Sequence, residues 1–287
     1  MAGTIGIIGG SGLYEIDGIH GIHQVTVETP FGSPSDSYTV GEFEGIKVVF
    51  LPRHGKGHRL LPGELNYRAN IYGMKKLGVE RIISVSAVGS LKRELKPLDI
   101  VIPDQFVDRT NQGRKMTFFG DGVAAHVSLA DPVCGDLAKV LFEAGKKVGA
   151  TVHKGGTYVN MEGPAFSTRA ESRLYRSWGM DVIGMTNMAE SRLAREAEIC
   201  YATLACVTDY DCWIMDEESE PVTVDIIIQN VAKNVAVSKK LLRAALPNVS
   251  KKLCSCQYAL KGAIITARDA ITDVARKRLD IIAGRYW

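Results

Sequence analysis

The sequence predicts an α/β fold, in which helices pack on a mostly parallel or mixed β-sheet within a single domain. Short runs rich in β-branched residues alternate with stretches whose apolar residues recur at helical spacing. The 287 residues are 46% hydrophobic and 23% charged, which is typical of a globular protein. No Ser/Pro-rich linker, internal repeat or low-complexity block interrupts them. We therefore expect one domain over residues 1–287, with a core of about 4–262 and a helical tail of about 263–287.

Seven strands are predicted, each from a short run of mainly β-branched and other apolar residues. They cover residues 4–8, 47–51, 81–85, 100–102, 157–161, 182–185 and 201–207. The last run is apolar at nearly every position, which indicates a buried strand.

Three helices are predicted from apolar residues at helical spacing and from residues that favour helix ends. They cover residues 137–148, 168–178 and 223–242. Thr168 and Thr223 are candidate N-caps, and Gly149 and Gly179 follow the last residues of the first two helices. The tail is also compatible with helix, and the sequence leaves open whether it packs on a partner subunit or extends past the core.

Charge and targeting patterns exclude several classes of function. A net charge of +3 is too small to indicate a nucleic-acid or membrane partner. The N-terminus lacks the charged and apolar regions of a signal peptide. No apolar run reaches the ~18–20 residues that cross a bilayer. We expect a cytoplasmic protein with no nucleic-acid or membrane partner.

Six cysteines in a chain of this length argue against a secreted disulfide scaffold. Cys254 and Cys256 form a C-x-C pair, which lacks the C-x-x-C spacing of common zinc sites. No matching second pair or histidine cluster follows it. We interpret the pair as a local disulfide, with two ordinary thiols as the alternative.

Asp209 and Asp211 follow the last predicted strand and are the strongest candidates for catalysis. In an extended chain, residues i and i+2 point the same way, so the two carboxylates are expected side by side. In a water-poor pocket both cannot ionise easily, and the pKa of one should rise. The pair then offers a proton donor and a charged acceptor, which suits an adenine leaving group. A solvated turn with two carboxylates is the alternative.

Four loops that follow predicted strands are candidates for anion binding. A glycine-rich turn around Ser11 offers main-chain N–H groups, but it has neither dinucleotide-binding nor P-loop spacing. Arg53 and His54 follow the second predicted strand, and Ser86 begins a turn of small residues after the third. Thr186 stands where a strand leads into a helix, a natural anion site. We expect all four loops to meet at one rim.

These pieces resemble the trimeric purine nucleoside phosphorylase family, most closely its branch that acts on S-methyl-5′-thioadenosine. The matching segments are IGIIGGSGLY, TPFGSPSD, PRHGKGH, NYRAN, SAVGSL, MEGPAFSTRAES, GMTNMAES and EICYATLACVTDYDCW. They occur in order over roughly residues 4–245, so the resemblance covers the whole predicted domain.

The resemblance implies roles for individual residues. It assigns phosphate binding to Ser11, Arg53, His54, Ser86, Ala87 and Thr186. It assigns substrate binding to Met185 at the ribose, Phe166 and Ser167 at the base, Val224 and Ile227 at the 5′-methylthio group, and His126 in the neighbouring subunit's site. Asp209 and Asp211 match the adenine-reading pair, and relatives that prefer 6-oxopurines carry asparagine in place of Asp209.

The resemblance also implies an overall architecture and its requirements. The family fold is a single α/β domain around a mixed, partly barrel-like sheet, usually assembled as a homotrimer and sometimes as a hexamer. No metal or organic cofactor is expected, and inorganic phosphate is a co-substrate. Thermophilic relatives also carry a C-terminal C-x-C, which favours a disulfide between Cys254 and Cys256. A disulfide between Cys134 and Cys200 stays open.

The expected function is phosphate-dependent cleavage of S-methyl-5′-thioadenosine to adenine and 5-methylthioribose 1-phosphate, in purine salvage and methionine recycling. One alternative is a phosphorylase of 6-oxopurine nucleosides, namely inosine, guanosine or methylthioinosine. A hydrolytic nucleosidase and a nucleotide-binding protein without adenine release are two further alternatives.

Overall fold

The computed structural model describes residues 3–10, 13, 16–111, 113–214, 224–249 and 253–287. Its strands are β1 (Thr4–Gly9), β2 (His20–Val25), β3 (Tyr38–Phe43), β4 (Ile46–Pro52), β5 (Val79–Ser90), β6 (Ile100–Ile102), β7 (Gln105–Arg109), β8 (Val152–Lys154), β9 (Thr157–Met161), β10 (Val182–Gly184) and β11 (Cys200–Asp209). Its helices are α1 (Tyr67–Lys76), α2 (Gly135–Lys147), α3 (Arg169–Ser177), α4 (Asn187–Glu196), α5 (Val224–Ala245) and α6 (Asp273–Ala283).

All seven predicted strands are present, as β1, β4, β5, β6, β9, β10 and β11. β5 and β11 run further than predicted, to Ser90 and Asp209. β2, β3, β7 and β8 were not predicted. β2 is exposed along most of its length and β8 has three residues, so neither carries a buried apolar run.

The three predicted helices are present as α2, α3 and α5. Thr168 caps α3 as predicted, because its hydroxyl accepts a 3.2 Å hydrogen bond from the Glu171 N–H. The Glu171 carboxylate in turn accepts a 2.8 Å bond from the Thr168 N–H, which completes a capping box. The predicted cap at Thr223 lies outside the described residues. Helix α1 was not predicted. It contains Gly73, where a Cβ would collide with the Tyr38 hydroxyl at 2.1 Å.

The eleven strands form one sheet in the order β2-β3-β4-β1-β5-β10-β9-β7, and β11, β6 and β8 extend it by a second route from β5. Neighbours β4, β1, β5 and β11 are parallel. The β2–β3 and β3–β4 pairs and the β10–β5 pair are antiparallel. The predicted α/β fold with a mixed sheet flanked by helices is confirmed.

The parallel strands bury side chains on both faces because helices cover both faces. Along β1, Ile5 and Ile7 point into one apolar layer and Ile8 into the other. Helices α2 and α5 complete the first layer, and α1, α4 and α6 complete the second. Because helices cover both faces of the sheet, its accessible sides include those at which the strands end.

The C-terminal segment packs on its own chain. Leu279 and Ile282 of α6 are buried in the same layer as Ile71 and Tyr72 of α1. Thr272 caps α6 by accepting a 3.3 Å hydrogen bond from the Ala275 N–H. The tail is therefore part of the core.

The structure bears on the predicted disulfide and on membrane-spanning helices. All six cysteines are free thiols, so the predicted disulfide between Cys254 and Cys256 is wrong. Cys254 lies instead beside Cys134, with 3.7 Å between the two sulfur atoms. Among the described residues, no helix has the length and apolar character needed to cross a membrane.

Candidate active site

The carboxyl ends of β4, β1, β5 and β11 lie along one edge of the sheet. The strand register pairs Gly9 at the end of β1 with Pro52 at the end of β4. It also pairs Asp209 at the end of β11 with Gly89 of β5. Ligands of open α/β sheets bind outside the carboxyl ends of parallel strands, and we refer to this part of the molecule as the carboxyl edge.

Asp209 ends β11, and both of its carboxylate oxygens accept hydrogen bonds. The Thr208 hydroxyl donates to Oδ2 at 2.6 Å, and the Asp211 main-chain N–H donates to Oδ1 at 2.8 Å. Asp211 lies two residues beyond the end of the strand, is buried, and has a φ of 53°. The expectation that strand alternation aligns the two carboxylates was wrong, because Asp211 has left the extended conformation.

The two aspartates nevertheless meet at Gly89. A Cβ built on Gly89 would lie 3.1 Å from Oδ1 of Asp209 and 3.3 Å from Cβ of Asp211. It would also lie 3.1 Å from Cγ2 of Ile183 on β10. The missing side chain at Gly89 is what lets β5, β10 and the aspartate turn approach this closely.

The pKa of each aspartate is raised, mainly by burial away from water. For Asp209 the hydrogen bonds from Thr208 and Asp211 act in the opposite direction, and the Asp211 charge adds a smaller upward contribution. The predicted rise in pKa is therefore present, but desolvation is its principal cause and repulsion between the two carboxylates is a minor one.

Arg53 follows β4 and is held in a buried polar network. Its Nε donates to Oε1 of Glu190 at 2.5 Å, and its second terminal nitrogen donates to the Ser84 hydroxyl at 2.6 Å. The remaining terminal nitrogen donates to the Val85 carbonyl at 2.9 Å. Burial is the largest single effect on the pKa of the guanidinium and lowers it, but the charge and the hydrogen bond of Glu190, with smaller contributions from two buried tyrosines, together raise the pKa above its usual value. Arg53 is thus a fixed positive charge beneath the carboxyl edge.

His54, next to Arg53, is neutral near pH 7. Burial, followed by the charge of Arg53, lowers the pKa of His54 to about 4. Its Nδ1 lies 2.8 Å from the Leu60 carbonyl, so this nitrogen carries the proton and Nε2 is the acceptor. The ring stacks on His58 with 4.3 Å between centroids.

Ser86 and Thr186 approach each other across β5 and the start of α4. Both lie near the Tyr158 hydroxyl and lower its pKa, although burial has the larger effect and raises that pKa to about 12. Thr186 is the N-cap residue of α4, and its side chain makes no capping bond to the helix. Ala87, beside Ser86, is exposed. Backbone N–H groups at this helix start can therefore face an anion at the carboxyl edge.

The start of α4 is fixed by Asn187. Its side-chain NH₂ lies within hydrogen-bonding distance of the hydroxyls of Ser84, Tyr201 and Thr203, at 3.1, 2.9 and 2.7 Å. The Tyr201 hydroxyl also donates to Oε2 of Glu190 at 2.9 Å. Because Glu190 is in the first turn of α4, this network joins the helix start to Arg53.

Met185 lies between Gly184 and the N-cap of α4, and Arg114 fixes its main chain. One guanidinium nitrogen of Arg114 donates to the Met185 carbonyl at 2.5 Å, and Nε donates to Oε1 of Glu162 at 2.9 Å. The Met185 side chain occupies the space beside Gly163, where a Cβ would be 2.4 Å from its sulfur. The sequence analysis did not find Arg114 or Glu162.

Phe166 and Ser167 lie in the loop between β9 and α3. The Cys212 thiol donates to the Ser167 carbonyl at 3.2 Å, which places this loop against the aspartate turn. The Phe166 side chain is 59% exposed and projects from the surface.

The remaining predicted site residues are His126, Val224, Ile227 and Ser11. His126 is exposed, and its main-chain N–H donates to the Ala263 carbonyl at 2.9 Å. Val224 and Ile227 lie in the first turns of α5, and Ser11 lies outside the described residues. A cavity of about 420 Å³ opens beside Tyr67 and Arg114 and is not lined by either aspartate.

Comparison with known proteins identifies the family. A family model described as the phosphorylase superfamily matches residues 4–247. The chain belongs to the phosphorylase superfamily. The family resemblance expected from the sequence motifs is thereby confirmed.

Members of the superfamily with high similarity share the whole length of the chain. The S-methyl-5′-thioadenosine phosphorylase of Geobacter sulfurreducens is 59% identical over 287 residues, with 100% of both chains covered. The relative of the same name from Koribacter versatilis is 57% identical over 288 residues, covering 100% of this chain and 98% of that one.

Solved structures of the superfamily share the fold. A methylthioadenosine phosphorylase from an Antarctic soil metagenomic library superposes with a TM-score of 0.93 at 49% identity, covering 98% of this chain and 99% of that one. Methylthioadenosine phosphorylase from Schistosoma mansoni in complex with adenine superposes with a TM-score of 0.85 at 35% identity, covering 93% of this chain and 99% of that one.

Proposed function

We propose that the chain cleaves S-methyl-5′-thioadenosine with phosphate, giving adenine and 5-methylthioribose 1-phosphate. Relatives that are 57% and 59% identical over the whole chain carry the name of this activity. The observation that favours it most within the molecule is Asp209, a partly buried aspartate of raised pKa at the carboxyl edge, since it can deliver a proton to a departing purine.

Phosphate is the proposed nucleophile, and the residues around Arg53 supply its binding chemistry. Arg53 is a permanent cation at the end of β4, and the Thr186 N-cap presents a helix start. Ser86 offers a hydroxyl, and Ala87 leaves the backbone open. His54 stays uncharged, and its Nε2 can accept a hydrogen bond from a protonated phosphate oxygen. Ser11 is proposed to add a hydroxyl from the β1 loop.

Cleavage of the glycosidic bond passes through an oxocarbenium-like state. The phosphate oxygen bonds to the anomeric carbon as the bond to the purine nitrogen breaks. Two charges need stabilisation, the positive sugar and the electron-rich purine. Bound phosphate stabilises the first by its charge, and protonated Asp209 stabilises the second by donating toward N7. Neither step calls for a metal or an organic cofactor.

The proton on Asp209 is proposed to reside on Oδ2. Oδ1 already accepts the Asp211 N–H, so it is the poorer position for a proton. The Thr208 hydroxyl is 2.6 Å from Oδ2 and also 3.2 Å from the Val88 carbonyl, so it can turn to the carbonyl when Oδ2 is protonated. Asp211 is proposed to accept from the 6-amino group of adenine.

The remaining substrate contacts are proposed from residues around these two positions. The Met185 carbonyl, held by Arg114, has a second lone pair for a ribose hydroxyl. Phe166 and Ser167 are proposed to flank the base, and the start of α5 with Val224 and Ile227 to accept the methylthio group.

A second candidate is a phosphorylase of 6-oxopurine nucleosides such as inosine, guanosine or methylthioinosine. A 6-oxo group needs a hydrogen-bond donor, whereas an ionised aspartate offers only acceptors. Two aspartates at the purine position therefore favour the 6-amino substrate.

Adenine release from S-methyl-5′-thioadenosine, measured with and without phosphate, tests the proposal. We expect release only with phosphate, together with one 5-methylthioribose 1-phosphate for each adenine. Release without phosphate would instead identify a hydrolytic nucleosidase. Faster turnover of inosine or methylthioinosine in the same assay would favour the second candidate.

We also propose that the active form is a homo-oligomer, a trimer or a hexamer, in which His126 reaches a neighbouring site. The exposed His126 and Phe166 are suited to contacts between subunits. Co-expression of His126→Ala and Asp209→Asn chains tests this, because a mixed oligomer has sites with a native Asp209 and a neighbour's native His126. Activity should then exceed that of either variant alone, and no gain would place His126 outside the neighbour's site.

The proposed setting is the cytoplasm, in purine salvage and methionine recycling. Six free thiols suit a reducing compartment. Adenine and 5-methylthioribose 1-phosphate are the products that those two routes would reuse.

A further inference from the structure

Four cysteines that are distant in the sequence meet in one buried cluster. Their sulfur atoms all lie within 4.8 Å of one another. The members are Cys134, Cys200, Cys254 and Cys256, which we call the cysteine cluster. Three of them are buried and Cys254 is half-buried. Among the described residues, this cluster is a group of four side chains whose ligand atoms are close enough together to hold one metal ion.

The spacing of the sulfur atoms fits a tetrahedral metal site. A zinc–sulfur bond of about 2.3 Å places the sulfur atoms of a tetrahedron about 3.8 Å apart. The Cys134 and Cys254 sulfur atoms are 3.7 Å apart. A disulfide would need about 2.0 Å and would join the cysteines only in pairs.

The cluster is assembled from rigid parts of the fold. Cys134 is the N-cap residue of α2, and its N–H donates a 2.8 Å hydrogen bond to the Tyr201 carbonyl. Cys200 begins β11. Cys254 precedes a short 3-10 helix that contains Cys256, and its N–H donates to the Gln257 side chain at 3.1 Å. Each ligand is therefore positioned by backbone structure before an ion binds.

The surroundings suit a small, negatively charged metal centre. Zinc with four thiolates carries a net charge of −2, and the positive end of the α2 dipole lies at Cys134. A cavity of about 20 Å³ beside the cluster is lined by Cys134, Cys200, Cys254, Asp136 and the buried Arg81, together with apolar side chains. Four protein ligands leave no open position for a substrate, which is typical of a structural site.

The cluster is remote from the carboxyl edge. Cys200 and Asp209 are the first and last residues of β11, so ten residues of extended chain separate them by roughly 30 Å. Any effect of the cluster on the chemistry at Asp209 must pass through the fold.

We propose that the cysteine cluster binds one Zn²⁺ per chain and ties the C-terminal segment to α2 and β11. Four thiolate ligands in a tetrahedron select zinc or iron among common metals, and zinc requires no redox partner. Binding releases the thiol protons to solvent, and no electron is transferred. Oxidation of the same four thiols to two disulfides is the competing chemistry.

Metal content of the purified full-length chain is the first test. We expect about one zinc per chain by plasma mass spectrometry and essentially none in Cys134→Ser or Cys254→Ser. Cys206→Ser is the matched control, because Cys206 is a buried thiol of the same strand β11 and lies outside the cluster. It should keep the wild-type zinc content. One iron in place of zinc would overturn the choice of metal.

A second measurement covers the case in which the serine variants fail to fold. The wild-type chain is stripped with a chelator under reducing conditions and titrated with Co²⁺, and a tetrahedral thiolate site then gives strong visible absorption at one Co²⁺ per chain. Alkylation of the denatured, chelated, unreduced protein should modify six thiols. Modification of two or four, or no metal uptake, would overturn the proposal in favour of disulfides or ordinary thiols.

Kinetics separate a structural site from a catalytic one. Removal of zinc should lower the midpoint of thermal unfolding by several degrees, while KM for phosphate and for the nucleoside stays within about twofold at temperatures where the chain is folded. A selective loss of kcat without loss of stability would contradict a structural role.

Discussion

The main-chain N–H of Asp211 donates a 2.8 Å hydrogen bond to Oδ1 of Asp209. The two residues are therefore joined through the main chain of a turn and not through a proton held between their carboxyl groups. The same turn holds Asp211 at a positive φ of 53°. Because Oδ1 accepts this hydrogen bond, Oδ2 is the better position for a proton. The Thr208 hydroxyl lies 2.6 Å from Oδ2. In the proposed reaction Asp209 is the acid, and the bond to Oδ1 holds Asp211 beside it, where Asp211 is proposed to accept from the 6-amino group of adenine.

Asp209→Asn should lower kcat on S-methyl-5′-thioadenosine by on the order of 10²–10⁴, the usual contribution of a general acid. The amide keeps the hydrogen bond from the Asp211 N–H but has no acidic proton to transfer. The measurement is initial-rate adenine release at saturating phosphate. Activity that is intact and merely redirected toward inosine would indicate that Asp209 recognises the base without protonating it.

Thr208→Val should extend activity to higher pH. The Thr208 hydroxyl stabilises ionised Asp209 and so lowers the pKa of Asp209, against the larger upward effect of burial. Valine has the same shape without the hydroxyl, so the pKa of Asp209 should rise. Because the reaction uses protonated Asp209, the loss of kcat on raising the pH should begin at a higher pH than in the wild type.

Thr208→Ser is the matched control, since it restores the hydroxyl and should restore the wild-type profile. If kcat of Thr208→Val began to fall at a lower pH than in the wild type, the loss of activity would report the titration of another group. If it began to fall at the same pH, Thr208 would not control the protonation of Asp209.

Gly89→Ala should lower kcat/KM by roughly tenfold to a hundredfold, the range expected for a displacement of catalytic groups by less than an ångström. The added Cβ would press on Asp209 and Ile183 at 3.1 Å, so the aspartate turn must move by a few tenths of an ångström. Gly135→Ala is the control, because a Cβ there meets nothing within 4 Å. If both variants lost activity equally, the result would contradict a specific role of Gly89 in the site.

Local sequence patterns predicted the parts of the fold that depend on neighbours in the chain. The apolar run of β11, the Thr168 cap of α3 and the loop after β4 are all visible as short segments. The turn predicted to begin at Ser86 was wrong, because β5 continues to Ser90. Parallel pairing then brings the loop residues to one edge, which follows from any arrangement of adjacent parallel strands.

The missed features depend on partners far apart in the chain. Glu190 pairs with Arg53 across 137 positions, and Glu162 pairs with Arg114 across 48. Neither acidic residue lies in a local pattern that identifies its partner. The C-x-C pair was interpreted as isolated because its companions are supplied by tertiary packing, and Cys134 is 120 positions from Cys254.

Strand alternation misled at Asp211 for a related reason. The i, i+2 rule holds only while the chain stays extended, and Asp211 has a φ of 53°. The close approach at Gly89, seen only in the assembled sheet, is what keeps the two aspartates together despite the turn.

Glu196→Gln should stabilise the chain at high pH. Burial raises the pKa of Glu196 from 4.5 to about 7, so the folded state favours the protonated form. The contribution of this group to stability is full below pH 4.5 and is lost as the pH rises through about 7. A glutamine keeps both contacts, because its carbonyl can accept from the Phe118 N–H and its NH₂ can donate to the Thr117 hydroxyl, which now bond to the carboxylate at 2.7 Å each.

From pH 5 to pH 8, the free energy of unfolding of Glu196→Gln should therefore rise relative to that of the wild type, by about 3 kcal/mol at most. Urea unfolding at the two pH values measures the difference. Glu171→Gln provides a control without this pH response, since hydrogen bonds from the Thr168 N–H and hydroxyl lower the pKa of Glu171. That carboxylate has its full stabilising effect above its unfolded pKa and loses it only as the pH falls below that value, so between pH 5 and pH 8 Glu171→Gln should differ from the wild type by a nearly constant amount. A parallel response of both variants to pH would show that the buried position of Glu196 does not govern its titration.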